Sequence, residues 1–592
     1  MAGSRLSMGK TGLLILMIMA LLLVGLLAYR MADALVLSIF AYRTPLKGYP
    51  PLTHDVTDPI TQQVVVVVVD GLRHDTSLEM PTLKALRSVG ADALLVFPPP
   101  SSTQTALTTL VTGVGPETND APLVDRAVEL IQPIRLDTVF GSVGRAGLTA
   151  GIAGLRWWER LVPPEGLYVH AYVDSSSDEG DSEVVEKAVS FVREFAPNLL
   201  FIHLRQVEEA GRVYGATSSA YQEAALRCDA YIQRVASAMD LSRSVLMILA
   251  SHGQLDDGTH GGAEVSARLT PFVMVGQGIA PGSYRAISAM DVATLVSALL
   301  GSPVPAHAQG SIPSKMLKMS DEQAATKLLA LAAQRLRIGN MYLASIGRGA
   351  VSKTAEGDRL TAQSSLLVGN VTSAAELAEL AVKQTDLEMV RGRLARLYSE
   401  RNQRLPAFAA ALLSPPLALW LKRGRRTLWI ALASCVSLEV YHLLYLRQGN
   451  LYSFSTIPPG ALASNLLGNL HNAILAMAVG AVIVLWGSWR QRERSAYEVA
   501  KATYSVALVS LVLIAQGVAC CVTWSGVAFR WYIPNLTVAY VQYFLLEQAM
   551  WFALVGLGLP IPAVLAQPAL LALGDWHQRR TNRLHKPRQQ EA

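Results

Sequence analysis

Apolar positions along the chain fall into three textures, and each predicts a different kind of element. Near the start, an unbroken run, "GLLILMIMALLLVGLLAY" (12–29), follows a short basic segment. That length suits a membrane crossing. No small-x-small cleavage pattern follows it, and apolar character resumes at "ALVLSIFAY". The run therefore reads as an uncleaved anchor rather than a signal peptide. From about 60 to 315 the pattern changes to short apolar runs alternating with amphipathic ones. "QQVVVVVVD", "LTAGIAG", "NLLFIHL", "SVLMILA" and "TPFVMVG" read as buried strands, rich in β-branched residues. "MPTLKALRSVG", "RLDTVFGSVGRAG", "SEVVEKAVSFVREF", "YQEAALRCDAYIQRVASAM" and "AMDVATLVSALLG" read as helices. Fully apolar strands alternating with helices predict an α/β fold: a mostly parallel sheet with helices on both faces.

Residues 316–404 are polar, Ala/Leu-rich and helical by pattern, and read as a spacer without a chemical motif of its own. Five apolar runs close the chain, at about 405–421, 427–446, 469–489, 503–524 and 540–573. The first contains Pro415 and Pro416, and the last is too long for one straight span and is broken by Pro560, Pro562 and Pro568.

Composition supports this division. Hydrophobic residues make up 51% of the 592 and charged residues 16%, with a mean hydropathy of +0.31. That is too apolar for a wholly soluble chain. The net charge of +6 raises the question of a nucleic-acid partner, but the basic residues sit beside the apolar runs, in "KRGRR" (422–426), "RQRER" (490–494) and "HQRRTNRLHKPR" (577–588). This is positive-inside placement, so the expected partner is a membrane and not nucleic acid. A cytoplasmic N-terminus puts all three clusters inside and the α/β domain outside, with six spans. The expected order is a cytoplasmic start and transmembrane anchor (1–45), an extracytoplasmic domain (60–315), the spacer (316–404), about five transmembrane helices (405–574) and a basic cytoplasmic tail (575–592). Cys228 is the only cysteine in the α/β stretch, which leaves neither an internal disulfide nor a cysteine-ligated zinc there.

The chemistry gathers in a few short segments. In "VVVVVVDGLRHD", Asp70 ends a very apolar strand, where ligands of α/β folds collect, although an acid after the first strand also serves to cap a helix. In "FPPPSSTQTALTTLVTG", Thr103 lies at the start of a small-residue helix. A hydroxyl there sits in positive potential that favours an alkoxide or a bound oxyanion, while the plain alternative is an N-cap. In "LASHGQLDDGTHGG", His252 and His260 are eight residues apart in a glycine- and acid-rich loop after a strand. That spacing suits a metal-binding loop, but Ser251 stands where a hard cation would want a carboxylate. "QLDDGT" also reads as a simple turn, and His260 as a partner for backbone. His203 reads as a core histidine, and Trp157 and Trp158 as packing. Glu439, His442 and Glu547 are ionisable groups in the apolar runs, and the two acids fall near expected span ends, where snorkelling accommodates them.

In order, Asp70, Thr103, "EEAGRVYG" (208–215), "SHG" and "THGG" resemble the alkaline phosphatase superfamily. More narrowly they resemble its type I phosphodiesterase/nucleotide pyrophosphatase branch, which includes the ethanolamine phosphate transferases of GPI-anchor assembly. "TGVGPET" and "DVATLVSALLGSPVPAHAQG" match the segments after the nucleophile and at the domain's close, and the resemblance covers about 60–315. It implies an alkaline-phosphatase-like fold, a Thr103 nucleophile that accepts a phosphoryl group, and two metal ions, usually zinc. One ion would use Asp70, Thr103, Ser251 and His252, and the other Glu208, Arg212 and His260. Three positions depart from the pattern. Glu208 is one methylene longer than the expected Asp, Ser251 replaces a carboxylate, and Arg212 replaces a histidine and can donate no lone pair.

Three readings remain. The first is a one-metal enzyme, with zinc or manganese on the metal ligands Asp70, Thr103, Glu208, His252 and His260, and Arg212 in a catalytic role holding phosphoryl oxygens where the second ion stood. Its substrate would be a lipid or lipid-linked glycan at the membrane, and transfer of phosphoethanolamine is the most concrete form. The second is a catalytically inactive protein that holds no ion and serves binding or assembly. In the third, the membrane spans carry the function. Protein partners are not indicated.

Overall fold

The computed structural model describes residues 9–421, 424–456, 462–491 and 493–584. Of the basic clusters, Lys422, Arg423, Arg492 and the tail from 585 onward lie outside the described residues. The chain divides into two compact bodies, one of Ser38–Glu400 with Phe529–Leu536, the other of Met1–Leu37, Arg401–Ala528 and Thr537–Ala592.

The first body is built on a nine-stranded sheet. In chain order its strands are β1 (Gln63–Val69), β2 (Ala91–Val96), β3 (Ala150–Leu155), β4 (Val169–Val173), β5 (Leu199–Leu204), β6 (Ser244–Leu249), β7 (Leu269–Gly276) and the two-residue β8 (Gly282–Ser283) and β9 (Ile287–Ser288). They lie in the order β4-β3-β5-β1-β6-β7-β2-β8, with β9 paired to β2. Neighbours from β4 to β6 run parallel, and β7 is antiparallel to both β6 and β2. Val64 to Val69 of β1 are all fully buried, as expected for the middle strand of a sheet covered on both faces. Helices Asp178–Ser190, Ser219–Ala238 and Asp291–Leu300 supply apolar faces to the same core. The five strands expected from apolar runs are all present. β2 ("ADALLV") and β4 ("VHAYV") were not anticipated, because alanine, leucine and histidine give little β signal.

The 316–404 stretch forms helix Asp321–Ser345, helix Lys353–Leu367 and the first part of the 51-residue helix Val371–Leu421. Leu331, Ala362 and Ala378 join the sheet's core, so these helices pack on the α/β domain.

In the second body, apolar helices share a core that includes Leu21, Tyr441, Met477, Phe544 and Phe552. Five helices among the described residues are long and apolar enough to cross a membrane: Lys10–Phe40, Arg425–Arg447, Asn465–Arg490, Ala496–Ser525 and Leu536–Gly558. The 405–421 run forms the C-terminal part of helix Val371–Leu421. The 540–573 run splits into Leu536–Gly558 and Pro560–Leu584, since Pro560 has no N–H to continue the first helix and its fixed φ suits the start of the next. Glu547 lies mid-helix and is buried, where it accepts hydrogen bonds from Asn469 Nδ2 (3.0 Å) and Trp551 Nε1 (3.1 Å), so it does not snorkel. Glu439 is exposed, and His442 Nδ1 meets the Tyr452 hydroxyl at 2.7 Å.

Candidate active site

Strand register assembles the site. Val69 pairs with Leu204 in the β1/β5 ladder, and Val68 with Leu249 in the β1/β6 ladder. The ladder continues one step, as Asp70 N donates to Leu204 O at 2.8 Å. Extending the two registers by one or two residues brings Asp70, Arg205 and Ser251 out side by side at the carboxyl ends of three adjacent parallel strands. Ligands of such sheets gather at this edge.

Asp70 is fully buried and does not cap a helix. Ser251 Oγ donates to its Oδ1, and His252 Nε2 lies 3.2 Å from the same oxygen. Its Oδ2 accepts from Arg205 Nη1 at 2.9 Å and faces His203 Nε2 at 3.5 Å. Burial by itself would raise the Asp70 pKa, but the charge and hydrogen bond of His252, with His203 beside it, hold the carboxyl well below its usual range. His252 shows the reciprocal effect. Burial opposes its charge, and Asp70 pushes its pKa up to about 9.

Thr103 is the first residue of helix Thr103–Thr112, and the N-cap position belongs to Ser102. The Thr103 hydroxyl is therefore not spent on capping, and it meets His252 Nε2 at 2.9 Å. The free N–H groups of Thr103 and Gln104 are instead satisfied by Asp125, at 3.1 and 2.8 Å.

The two histidines are presented in the same way. His252 Nδ1 lies 2.9 Å from Gly253 O, and His260 Nδ1 lies 3.1 Å from Ser101 O. A carbonyl can only accept, so each Nδ1 carries the proton and each Nε2 turns inward. The rings stack with centroids 3.9 Å apart, and His260 Nε2 lies 3.2 Å from Glu208 Oε1. Donor atoms of Glu208, His252 and His260 lie within 4.8 Å of one another. Two imidazoles held by carbonyl partners and one carboxylate suit a single transition-metal ion, so the residues fit that group. Both Asp70 oxygens already accept protein donors, and Arg205 Nη1 also lies 2.9 Å from Glu208 Oε2, as an ion pair without hydrogen-bond alignment.

Glycines let these parts approach. Gly71 has φ +72°, and a Cβ there would come within 2.8 Å of Glu208 Cα. A Cβ on Gly211 would meet Gln254 Oε1 at 1.8 Å. Helix Gln206–Tyr214, which carries Glu208, thus seats directly against the β1 turn and the histidine loop.

Arg212 does not join the cluster, contrary to expectation. It lies one turn beyond Glu208 on the same helix, with an exposed guanidinium whose Nε meets Glu209 at 3.1 Å. The three-residue spacing places that pair on the outer face. Arg205, one residue past β5, is the guanidinium at the carboxylates. Asp181 accepts its backbone N–H (2.9 Å), and its side chain lies 5.6 Å from the Trp157 ring centroid. His203 is not merely a core residue either, since it faces Asp70 with its ring edge-on to Trp157 and Trp158, at 5.4 and 5.9 Å. A signal for Arg205 existed: like Asp70, it is the first polar residue after an apolar strand.

A cavity of about 460 Å³ opens beside this cluster, lined by Thr103, Asp125, Arg126, Trp157, Asp174 and Arg205 among others. Its size suits a small ligand group.

No family model matches. The chain is similar to GPI ethanolamine phosphate transferase 2 of Eremothecium gossypii, at 21% identity over 345 residues, covering 52% of this chain and 43% of that protein. It is also similar to GPI ethanolamine phosphate transferase 1 of Mus musculus, at 22% identity over 323 residues, 44% of this chain and 34% of that protein. The chain thus spans less than half the length of these curated relatives. Among solved structures it is similar to murine ectonucleotide pyrophosphatase/phosphodiesterase 5 (15% identity, TM-score 0.35, 41% of this chain and 96% of that one). A phosphonate monoester hydrolase from Silicibacter pomeroyi is another neighbour (14%, TM-score 0.34, 43% and 76%). With five helices among the described residues long and apolar enough to cross a membrane, the chain is an integral membrane protein.

Proposed function

We propose that this chain is a membrane-anchored phosphotransferase that moves a phosphoethanolamine group from a phospholipid to a lipid-linked or surface glycan. The relatives' names supply the substrate class, and the helices place it at a bilayer. The observation that carries the reading is the Thr103 hydroxyl. It sits at a helix start, free of capping duty, against His252 Nε2 at 2.9 Å and at the wall of the cavity.

In the first half-reaction the Thr103 oxygen attacks phosphorus, the bond from phosphorus to the lipid oxygen breaks, and the lipid alcohol leaves with a proton. In the second, a glycan hydroxyl attacks the phospho-threonine, transfers its proton to the departing Thr103 oxygen and restores the hydroxyl. Asp125 satisfies the first N–H groups and fixes the helix start against the cavity. Glu208, His252 and His260 would hold one ion, zinc or manganese, which would supply Lewis-acid stabilisation of the hydroxyl and the phosphoryl oxygens. The α/β body lies on the extracytoplasmic side, on the positive-inside argument.

The second reading, a non-catalytic binding or assembly protein, is favoured by one observation. Asp70 is saturated by Ser251, His252 and Arg205, as a retired ligand would be. The experiment that decides is mass spectrometry of the full-length protein after incubation with zinc and a phosphatidylethanolamine donor. A phosphoethanolamine adduct on Thr103, absent from Thr103→Ala, supports transfer. Its absence under zinc- and manganese-replete conditions favours the binding protein.

A further inference from the structure

Two buried carboxylates, Asp70 at the end of β1 and Glu208 in the first turn of helix Gln206–Tyr214, arrive at one point, and a cation between them offsets the burial of both charges. The cation present is part of the chain. Arg205 Nη1 lies 2.9 Å from Asp70 Oδ2 and 2.9 Å from Glu208 Oε2. Its backbone is pinned by Asp181, and its side chain packs by Trp157. Only Nη1 is engaged: among the described residues Nε and Nη2 make no hydrogen bond. Its side chain keeps 23% of its surface exposed, and it lines the same cavity as Thr103.

We propose that Arg205 is the fixed second positive centre of the Thr103 site. Its guanidinium takes the place between Asp70 and Glu208 that a second ion would need, and its unused Nε and Nη2 edge grips the non-reacting oxygens of a phosphoryl group at Thr103. The inference rests on the reading of Thr103 as the phosphoryl acceptor. The planar fork matches two phosphate oxygens, and the two carboxylates hold it from behind so that little freedom is lost on binding. Asp70 then acts as a positioning residue for Arg205 and His252 rather than as a metal ligand.

The test uses the full-length protein in detergent: wild type, Arg205→Ala and Arg205→Lys. Inorganic phosphate binding is measured by equilibrium dialysis in zinc-replete buffer, and metal content by elemental mass spectrometry. The wild type is expected to carry no more than one ion per chain and to bind phosphate. Arg205→Ala should bind it at least about tenfold more weakly, and Arg205→Lys, which keeps the charge and loses the fork, should lie between them. Two ions in the wild type, no phosphate binding by the wild type, or phosphate affinity in Arg205→Ala within about twofold of wild type would each overturn the proposal. Should Arg205→Ala fail to fold, Arg205→Lys decides alone, and unchanged affinity there counts against it. Failure to trap phospho-Thr103 with phosphate binding intact would remove the transfer reading and leave the role of Arg205 standing.

Discussion

Thr103 and His252 are joined at 2.9 Å through Oγ1 and Nε2, and the same nitrogen is 3.2 Å from Asp70. One atom thus links the hydroxyl to the strand-end carboxylate. Replacing Thr103 by alanine removes the nucleophile but few packing contacts. Transfer should fall by on the order of a thousandfold or more, while thermal stability changes little. Thr103→Ser should retain measurable turnover. Equal activity in Thr103→Ala, read by a donor-lipid assay, would place the chemistry elsewhere.

The His252–Asp70 pair predicts how metal binding responds to pH. The His252 pKa is raised from 6.5 to about 9 against the cost of burial, chiefly by the charge of Asp70. Without metal, the stability that this shift provides is full below the unfolded value and is lost as pH rises through about 9. An ion must displace that proton, so zinc affinity should rise with pH up to about 9, with a proton released on binding. Titration calorimetry in buffers of different ionisation enthalpy reads the proton directly. An affinity independent of pH between 6.5 and 9 would remove His252 from the ligand set.

Ser251 donates to Asp70, and an aspartate in its place would set two carboxylates side by side in a buried position. Ser251→Asp should lower the stability of the metal-free protein by roughly 2–4 kcal/mol, and added zinc should recover much of the loss. Thermal melts with and without zinc test this. A loss that zinc leaves unchanged would show that this position cannot recruit an ion.

In the membrane body, Glu547 accepts from both Asn469 and Trp551. Glu547→Ala leaves those donors without a partner and should cost about 1–3 kcal/mol, whereas Glu547→Gln keeps an acceptor and should cost less. Melting of the detergent-solubilised protein ranks the two. A loss in Glu547→Gln as large as in Glu547→Ala would mean that a neutral acceptor does not suffice for Asn469 and Trp551.

The strands and the histidine loop were legible because each is written in one short string. Six consecutive valines can hardly be anything but a buried strand, and "SHG" with "THGG" puts both imidazoles in one loop. Arg205 was not legible as a site residue. Its part depends on Leu204 pairing with Val69, a register between segments 135 positions apart, and on the carboxylates that this register brings together. Arg212 aligns with a family ligand position, but its exposed guanidinium pairs with Glu209 on the solvent side of the helix while Glu208, equally within helical reach, is buried. The same limit explains Glu547. Its distance along an apolar run suggested a headgroup position, and only the break at Pro560 makes it the middle of a helix.

Arg205 has one more consequence. A metal ion is borrowed from the surroundings and can be withdrawn by a chelator or by scarcity, but a guanidinium is synthesised with the chain and keeps its charge at any physiological pH. With Arg205 lodged between Asp70 and Glu208, the strand ends stay electrically tied even when the histidines are bare. The charge that holds these two carboxylates together thus does not depend on what the surroundings supply.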